Sequence, residues 1–187
     1  MRLFFFRVGG GEVFIMLRMV YAAIYQFFSK KAKSPLDAFS LPLCVMPWDC
    51  DMNFHINNGR YLSIMDVARM QLYLGAGIVG AMRKNRWIPV VTSSHLLYRR
   101  SINIFVKYDL SSQFVGRTDK FLIVEHRFKV KGKTAVLAYV ALAFRDDKGV
   151  VSSDRLIEGF GLDLSLNDRP DIINAYLNTD QEFLQSL

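Results

Sequence analysis

The spacing of apolar positions changes character twice along the chain. From Val13 to Phe28 the text VFIMLRMVYAAIYQFF is nearly continuous apolar sequence, broken by Arg18 and Gln26. Farther on, Tyr61, Met65, Ala68 and Leu72 fall at i, i+4, i+7 and i+11 and so share one helical face. Asn57 or Asn58 supplies an N-cap ahead of them, which predicts a long helix reaching about Lys84 with that face buried. Residues 43–48, just upstream, read as an extended apolar run. Past the helix the texture turns β-branched and aromatic in four runs, 90–98, 102–110, 120–130 and 134–144, the last two separated by a turn around Gly132. One early helix followed by four strands cannot alternate into βαβ units. The pattern therefore predicts an α+β layer, a curved antiparallel sheet wrapped around one long central helix.

Pro35 and Pro42 bracket a connector, and three parts are expected: an apolar and basic segment over 1–35, a domain over 36–165, and an acidic helix over 166–187. The chain has 187 residues, 51% of them hydrophobic and 22% charged, enough for one core and incompatible with a disordered or low-complexity chain. The apolar stretch 13–28 falls short of the ~20 residues of a membrane span and carries an arginine near its centre. Lys30, Lys31 and Lys33 follow it. Two readings stay open: a helix lying on a membrane surface, with the domain kept on the cytoplasmic side, or a helix packed on its own domain or a partner subunit. Arg7, Glu12 and Arg18 break the apolar text too often for a cleaved signal peptide.

The net charge of +7 is unevenly placed. Residues 83–133 hold twelve basic and three acidic side chains, whereas residues 146–187 hold three basic and nine acidic. A basic middle suits an anionic partner: nucleic acid, a membrane surface, or a phosphorylated ligand such as coenzyme A. The sequence contains no helix-turn-helix, zinc or aromatic-basic motif, so a nucleic-acid partner is not expected. Cys44 and Cys50 provide neither a disulfide framework nor a zinc ligand set. They are expected to be half-buried thiols in a reducing compartment.

The densest polar cluster joins the first extended run to the long helix. It reads Asp51-x-x-x-His55-x-Asn57-Asn58-x-x-Tyr61-Leu62, followed by Asp66-Val67-Ala68-Arg69. This pattern, with Tyr98-Arg99-Arg100 ahead of a later strand, resembles the signature of the 4-hydroxybenzoyl-CoA thioesterase-like branch of the hotdog-fold acyl-CoA thioesterases. The resemblance covers about residues 40–145. It implies a hotdog fold, hydrolysis of an acyl thioester carried on coenzyme A or an acyl carrier protein, and no metal or cofactor. By the same resemblance Asp51 aligns with the catalytic carboxylate, as nucleophile or as base for a water. Backbone amides around Asn57 and Asn58, at the start of the helix, are candidates to hold the oxyanion.

Around Asp51 the remaining roles are smaller. His55 is expected to hold the loop, orient Asp51 or touch substrate. Asp49, two residues upstream, reads as a solvated carboxylate at a strand end. Phe54, Tyr61, Met65 and Leu72 are candidate pocket walls, and Arg69 a structural partner for Asp66. Arg99, Arg100, Arg117 and Lys120 are candidate contacts for coenzyme A phosphates, while His95 and His126 read as structural. Family members place the pocket between subunits, which implies a homodimer or homotetramer. Two rivals remain: a non-catalytic acyl- or lipid-binding module at a membrane, and a hydratase-type hotdog enzyme, whose Asp-x4-His spacing differs by one residue from Asp51-x3-His55.

Overall fold

A computed structural model describes residues 10–29 and 36–162, with Asp171, Asn174, Ala175 and Asn178 beyond them. The basic cluster at 30–33 and most of the expected C-terminal helix lie outside the described residues. The elements run α1 (Gly10–Phe28), β1 (Phe39–Cys44), a 3-10 turn (Pro47–Asp49), α2 (Asn58–Gly75), α3 (Val79–Asn85), β2 (Ile88–Tyr98), β3 (Lys107–Arg117), β4 (Leu122–Val130), β5 (Lys133–Asp146), β6 (Gly149–Val150) and α4 (Ser153–Phe160).

The strands form one antiparallel sheet in the order β1-β3-β4-β5-β2, with β6 against β5. Register shifts at Val91/Ser93, Phe114/Gly116 and Phe128/Lys129 add the local twist that bends a sheet. The sheet curves about α2. Tyr61, Met65, Ala68 and Leu72, the face read from the sequence, are all buried in one core with Leu41, Leu110, Phe114, Val124 and Phe128.

Four expectations are corrected. The extended run expected at 43–48 is a strand only from Phe39 to Cys44, because Pro47 opens the 3-10 turn instead of donating to a ladder. The long helix stops at Gly75, and Gly77, at φ +72°, turns the chain by 91° into α3. The strand expected at 102–110 begins only at Lys107, after a turn with Phe105 at φ +62°, and runs on through Ser111 and Ser112, whose hydroxyls disguise a buried stretch. An unforeseen helix, α4, buries Leu156 and Phe160 and sets Phe160 edge-on to Trp87 and Phe144.

The N-terminal apolar helix packs on its own domain. Ile15, Met19 and Tyr25 of α1 lie half-buried against the core, and Ala22 is fully buried. The opposite face, Val13, Met16, Leu17, Val20, Ile24, Phe27 and Phe28, is exposed and uncharged.

Candidate functional site

The polar motif folds as a tight hairpin set against the first turn of α2. Cys50 and Ile56 bridge its base, the Asp51 amide donates to the His55 carbonyl (3.1 Å), and the Phe54 amide donates to the Asp51 carbonyl (3.1 Å). Phe54 closes the turn at φ +59°. A second tie holds the hairpin to the 101–106 loop, through Ile56 N to Ile102 O (3.0 Å) and Ile104 N to Phe54 O (2.8 Å).

Asp51 sits half-buried in this hairpin. One carboxylate oxygen accepts the Asn53 amide (2.9 Å), as an Asp in a turn commonly does, and the other lies 3.5 Å from His55 Nδ1. His55, not Asp51, lines the adjoining cavity of about 190 Å³, together with Asn58, Tyr61, Tyr98, Arg99 and Arg100.

Helix α2 opens with most of its amides engaged. Asn57 is the N-cap, and its side-chain oxygen accepts from Gly59 N (2.9 Å). The Asn57 amide itself donates to the Asp49 carbonyl (2.9 Å), and the Arg60 amide to the Asn57 carbonyl (2.9 Å). Asn58 N–H alone in this first turn has no partner among the described residues, and its residue faces the cavity. An unpaired amide at a helix start, on a residue that lines a cavity, suits a developing negative charge. The Asn57 amide, expected to share that role, is already spent.

Two tyrosines wall the cavity. Tyr61 is buried and packs edge-on to Tyr98 and Phe128. Burial, and secondarily Tyr98, pushes its phenol up to about 12, so near neutrality it is a donor and not a base. Tyr98 donates to the Asn58 carbonyl (3.3 Å). The Cys50 thiol, donating to Met46 O, is pushed up by burial first and then by Asp49 and Asp51, which leaves it protonated rather than nucleophilic.

The basic residues separate into two places. Arg99 and Arg100 flank the His55 cavity, and Arg100 continues into a neighbouring cavity of about 360 Å³ shared with Lys131 and Lys133. Arg117 and Lys120 lie elsewhere, where Arg117 pairs with Asp154 of α4. The two lysines were missed because they read as turn residues; pairing of β4 with β5 carries them beside Arg100. Met65 and Leu72 are core residues and line none of these cavities, and Phe54 stands out in solvent. Arg69 pairs with Asp66, Cys44 and Cys50 are half-buried thiols, and His126 is wholly buried with Ser112 Oγ 2.7 Å from its Nδ1.

Asp49 is the largest departure from the sequence reading. Far from solvated, its carboxylate is buried and receives Arg18 twice (2.9 and 2.5 Å), Arg60 (3.2 Å) and the Met46 amide (3.0 Å). The arginine that compensates it lies 31 residues upstream.

The family description "Thioesterase-like superfamily" matches residues 45–158. Among curated proteins, the chain is 28% identical over 117 residues to Protein THEM6 of Xenopus laevis, covering 63% of this chain and 56% of that protein. It spans about half the length of the curated relatives it matches. Among solved structures, YbaW probable thioesterase from Escherichia coli aligns with a TM-score of 0.58 at 21% identity, covering 64% of this chain and 94% of that one. The DHNA-CoA thioesterase from Staphylococcus aureus aligns with a TM-score of 0.56 at 17% identity, over 80% of this chain and 95% of that one.

Proposed function

The chain belongs to the thioesterase-like superfamily and has its hotdog fold, and on that premise we propose that it is an acyl-CoA thioesterase, cleaving a thioester to free acid and thiol. Asp51 takes a proton from a water whose oxygen attacks the thioester carbonyl; the carbonyl oxygen becomes an oxyanion held by Asn58 N–H, the C–S bond then breaks and the proton passes to the departing thiolate. With Asp51 as nucleophile instead, the C–S bond breaks to leave an acyl anhydride on Asp51, and a water hydrolyses that anhydride to the free acid, giving its proton to the thiolate. His55, which lines the cavity and lies 3.5 Å from Asp51, orients the carboxylate. Arg99 and Arg100, with Lys131 and Lys133 beside them, bind the phosphates of coenzyme A. The observation that carries this reading is the unpartnered amide of Asn58, a residue that lines the same cavity as His55, Arg99 and Arg100.

An acyl carrier protein is the alternative thiol carrier. The test is thiol release by the purified chain from short, long and aromatic acyl-CoAs and from an acyl carrier protein loaded with the same acids. Turnover of at least one substrate supports the enzyme; tight binding of acyl-CoA without turnover favours a binding module, and hydration of an enoyl-CoA favours the hydratase rival.

Tyr98 at the end of edge strand β2 lines the cavity, and Ile88, Val90, Val91 and Leu97 along the same strand are exposed, which supports a homodimer formed on that edge. Sedimentation of the purified chain measures that. A membrane-surface role for α1 is favoured by its uncharged outer face. Among the described residues no single helix is long and apolar enough to cross a membrane. Flotation with anionic vesicles, lost in Ile24→Glu/Phe27→Glu, is the expected result.

A further inference from the structure

A second apolar cavity lies away from the residues that line the His55 cavity. It is a groove of about 880 Å³ between α1 and the outer face of the β1–β3 pair, within the size range of small-molecule sites. Leu17 and Tyr21 of α1 form one wall, and Leu43, Cys44 and Met46 face them. Both ends are tied. Phe14 stacks on Trp48 with ring centroids 3.8 Å apart, and Tyr21 Oη donates to the Pro42 carbonyl (3.1 Å). Between these ties Arg18 donates to the Cys44 carbonyl (3.0 Å), which fixes α1 across the strand and keeps the groove from collapsing.

The charge at the mouth points to one class of occupant. Lys107 and Lys131 both line the groove, both are exposed, and neither has an ion-pair partner among the described residues. Among the described residues Asp109 is the sole carboxylate in the lining, and the other cation, Arg18, is paired with Asp49. An apolar trough whose walls are tied by the Phe14–Trp48 stack and the Tyr21–Pro42 hydrogen bond, with two unpaired ammonium groups in its lining, matches a single alkyl chain carrying an anionic head.

We propose that the groove between α1 and the β1–β3 edge binds a long-chain acyl group, its chain against Leu17, Cys44 and Trp48 and its anionic head at Lys107 and Lys131. Two sources share this chemistry: a free fatty acid taken from solution, and the acid released by thioester hydrolysis, whose carboxylate replaces the neutral thioester. Lys131 also lines the cavity next to Arg100, and Trp48 also lines the cavity at the start of α2 that holds Asn57 and Gly59, so the groove shares one wall residue with each. Binding of the free acid does not rest on hydrolysis.

The test uses the full chain and laurate below its micellar concentration. Saturable binding by calorimetry is expected, together with protection of Cys44 from a thiol reagent in a Cys50→Ser background. Lys107→Glu should weaken laurate at least tenfold and leave the neutral chain-matched dodecanol within twofold. Leu17→Glu, a change at an exposed helix position that far-UV circular dichroism should show to be folded, should abolish both. Absence of saturable laurate binding, or laurate binding unchanged in folded Leu17→Glu, overturns the proposal. Competition of laurate with lauroyl-CoA hydrolysis identifies the groove as the site of the product acid; binding without competition identifies a separate fatty-acid site, and either result supports the groove.

Discussion

Arg18 on α1 places both of its terminal guanidinium nitrogens on the carboxylate of Asp49, at 2.9 and 2.5 Å, in a setting where Asp49 has no exposed side-chain surface. The same aspartate anchors the start of α2, because its carbonyl accepts the Asn57 amide and its carboxylate accepts Arg60. The apolar N-terminal helix is thereby locked to the turn that carries the motif. Its attachment is ionic at the centre and apolar at the margins.

Removing one partner of a buried pair leaves the other uncompensated, which costs about 3–5 kcal/mol. Because Asp49 keeps Arg60 and the Met46 amide, Arg18→Met is expected to lower unfolding free energy toward the low end of that range in urea titrations. Arg18→Met combined with Asp49→Leu should recover part of the loss, since the fully buried carboxylate goes with its partner and the remaining cation, Arg60, keeps some side-chain exposure to solvent. Equal instability of the single and double variants would contradict the pair's role.

The cap at Asn57 has a smaller and separate effect. Asn57→Ala frees the Gly59 amide and is expected to cost about 1 kcal/mol, whereas Asn57→Asp keeps an acceptor and costs little. Thermal unfolding of the two variants side by side measures the difference.

The face of α2 was legible because its period is local: Tyr61, Met65, Ala68 and Leu72 need no knowledge of partners to be placed inward. The Asp51 hairpin was legible for the same reason, as one contiguous motif. Asp49 was not, since nothing within ten residues of it announces an arginine 31 positions away. The basic residues show the same limit. Arg117 and Lys131 belong to one basic stretch of sequence, but strand register sends Arg117 to α4 and Lys131 to the cavity beside Arg100. The break after Gly75 was marked by Gly77, yet apolar residues on both sides of it continued to satisfy a helical reading.

His126 sets a pH dependence of stability. Burial, and secondarily the charge of Arg69, holds its imidazole well below the usual histidine range, and its Nε2 has no partner among the described residues. The native state keeps it neutral while the unfolded chain protonates near pH ~6.5. The unfolded state then binds the extra proton, so this contribution is fully present above about pH 6.5 and is lost progressively as pH falls below it. Urea midpoints between about pH 8 and pH 5 should show a decline that His126→Asn reduces. An identical decline in that variant would assign it to other groups.

Phosphate recognition is separable from chemistry. Arg99→Ala/Arg100→Ala is expected to raise KM for an acyl-CoA about tenfold or more with little change in kcat. An acyl-N-acetylcysteamine, which lacks the nucleotide and its phosphates, should show no such change. A loss confined to kcat would place these arginines in the chemical step instead.

The most direct test of the account compares wild type with Asp51→Asn in steady-state hydrolysis of the best acyl-CoA substrate, with matched thermal unfolding of the two proteins. The account predicts that kcat falls about a hundredfold or more, the scale of a lost general base. Unfolding temperatures should stay close, because the side-chain amide oxygen of the variant can still accept the Asn53 backbone N–H. Retention of wild-type kcat in a folded Asp51→Asn would contradict it.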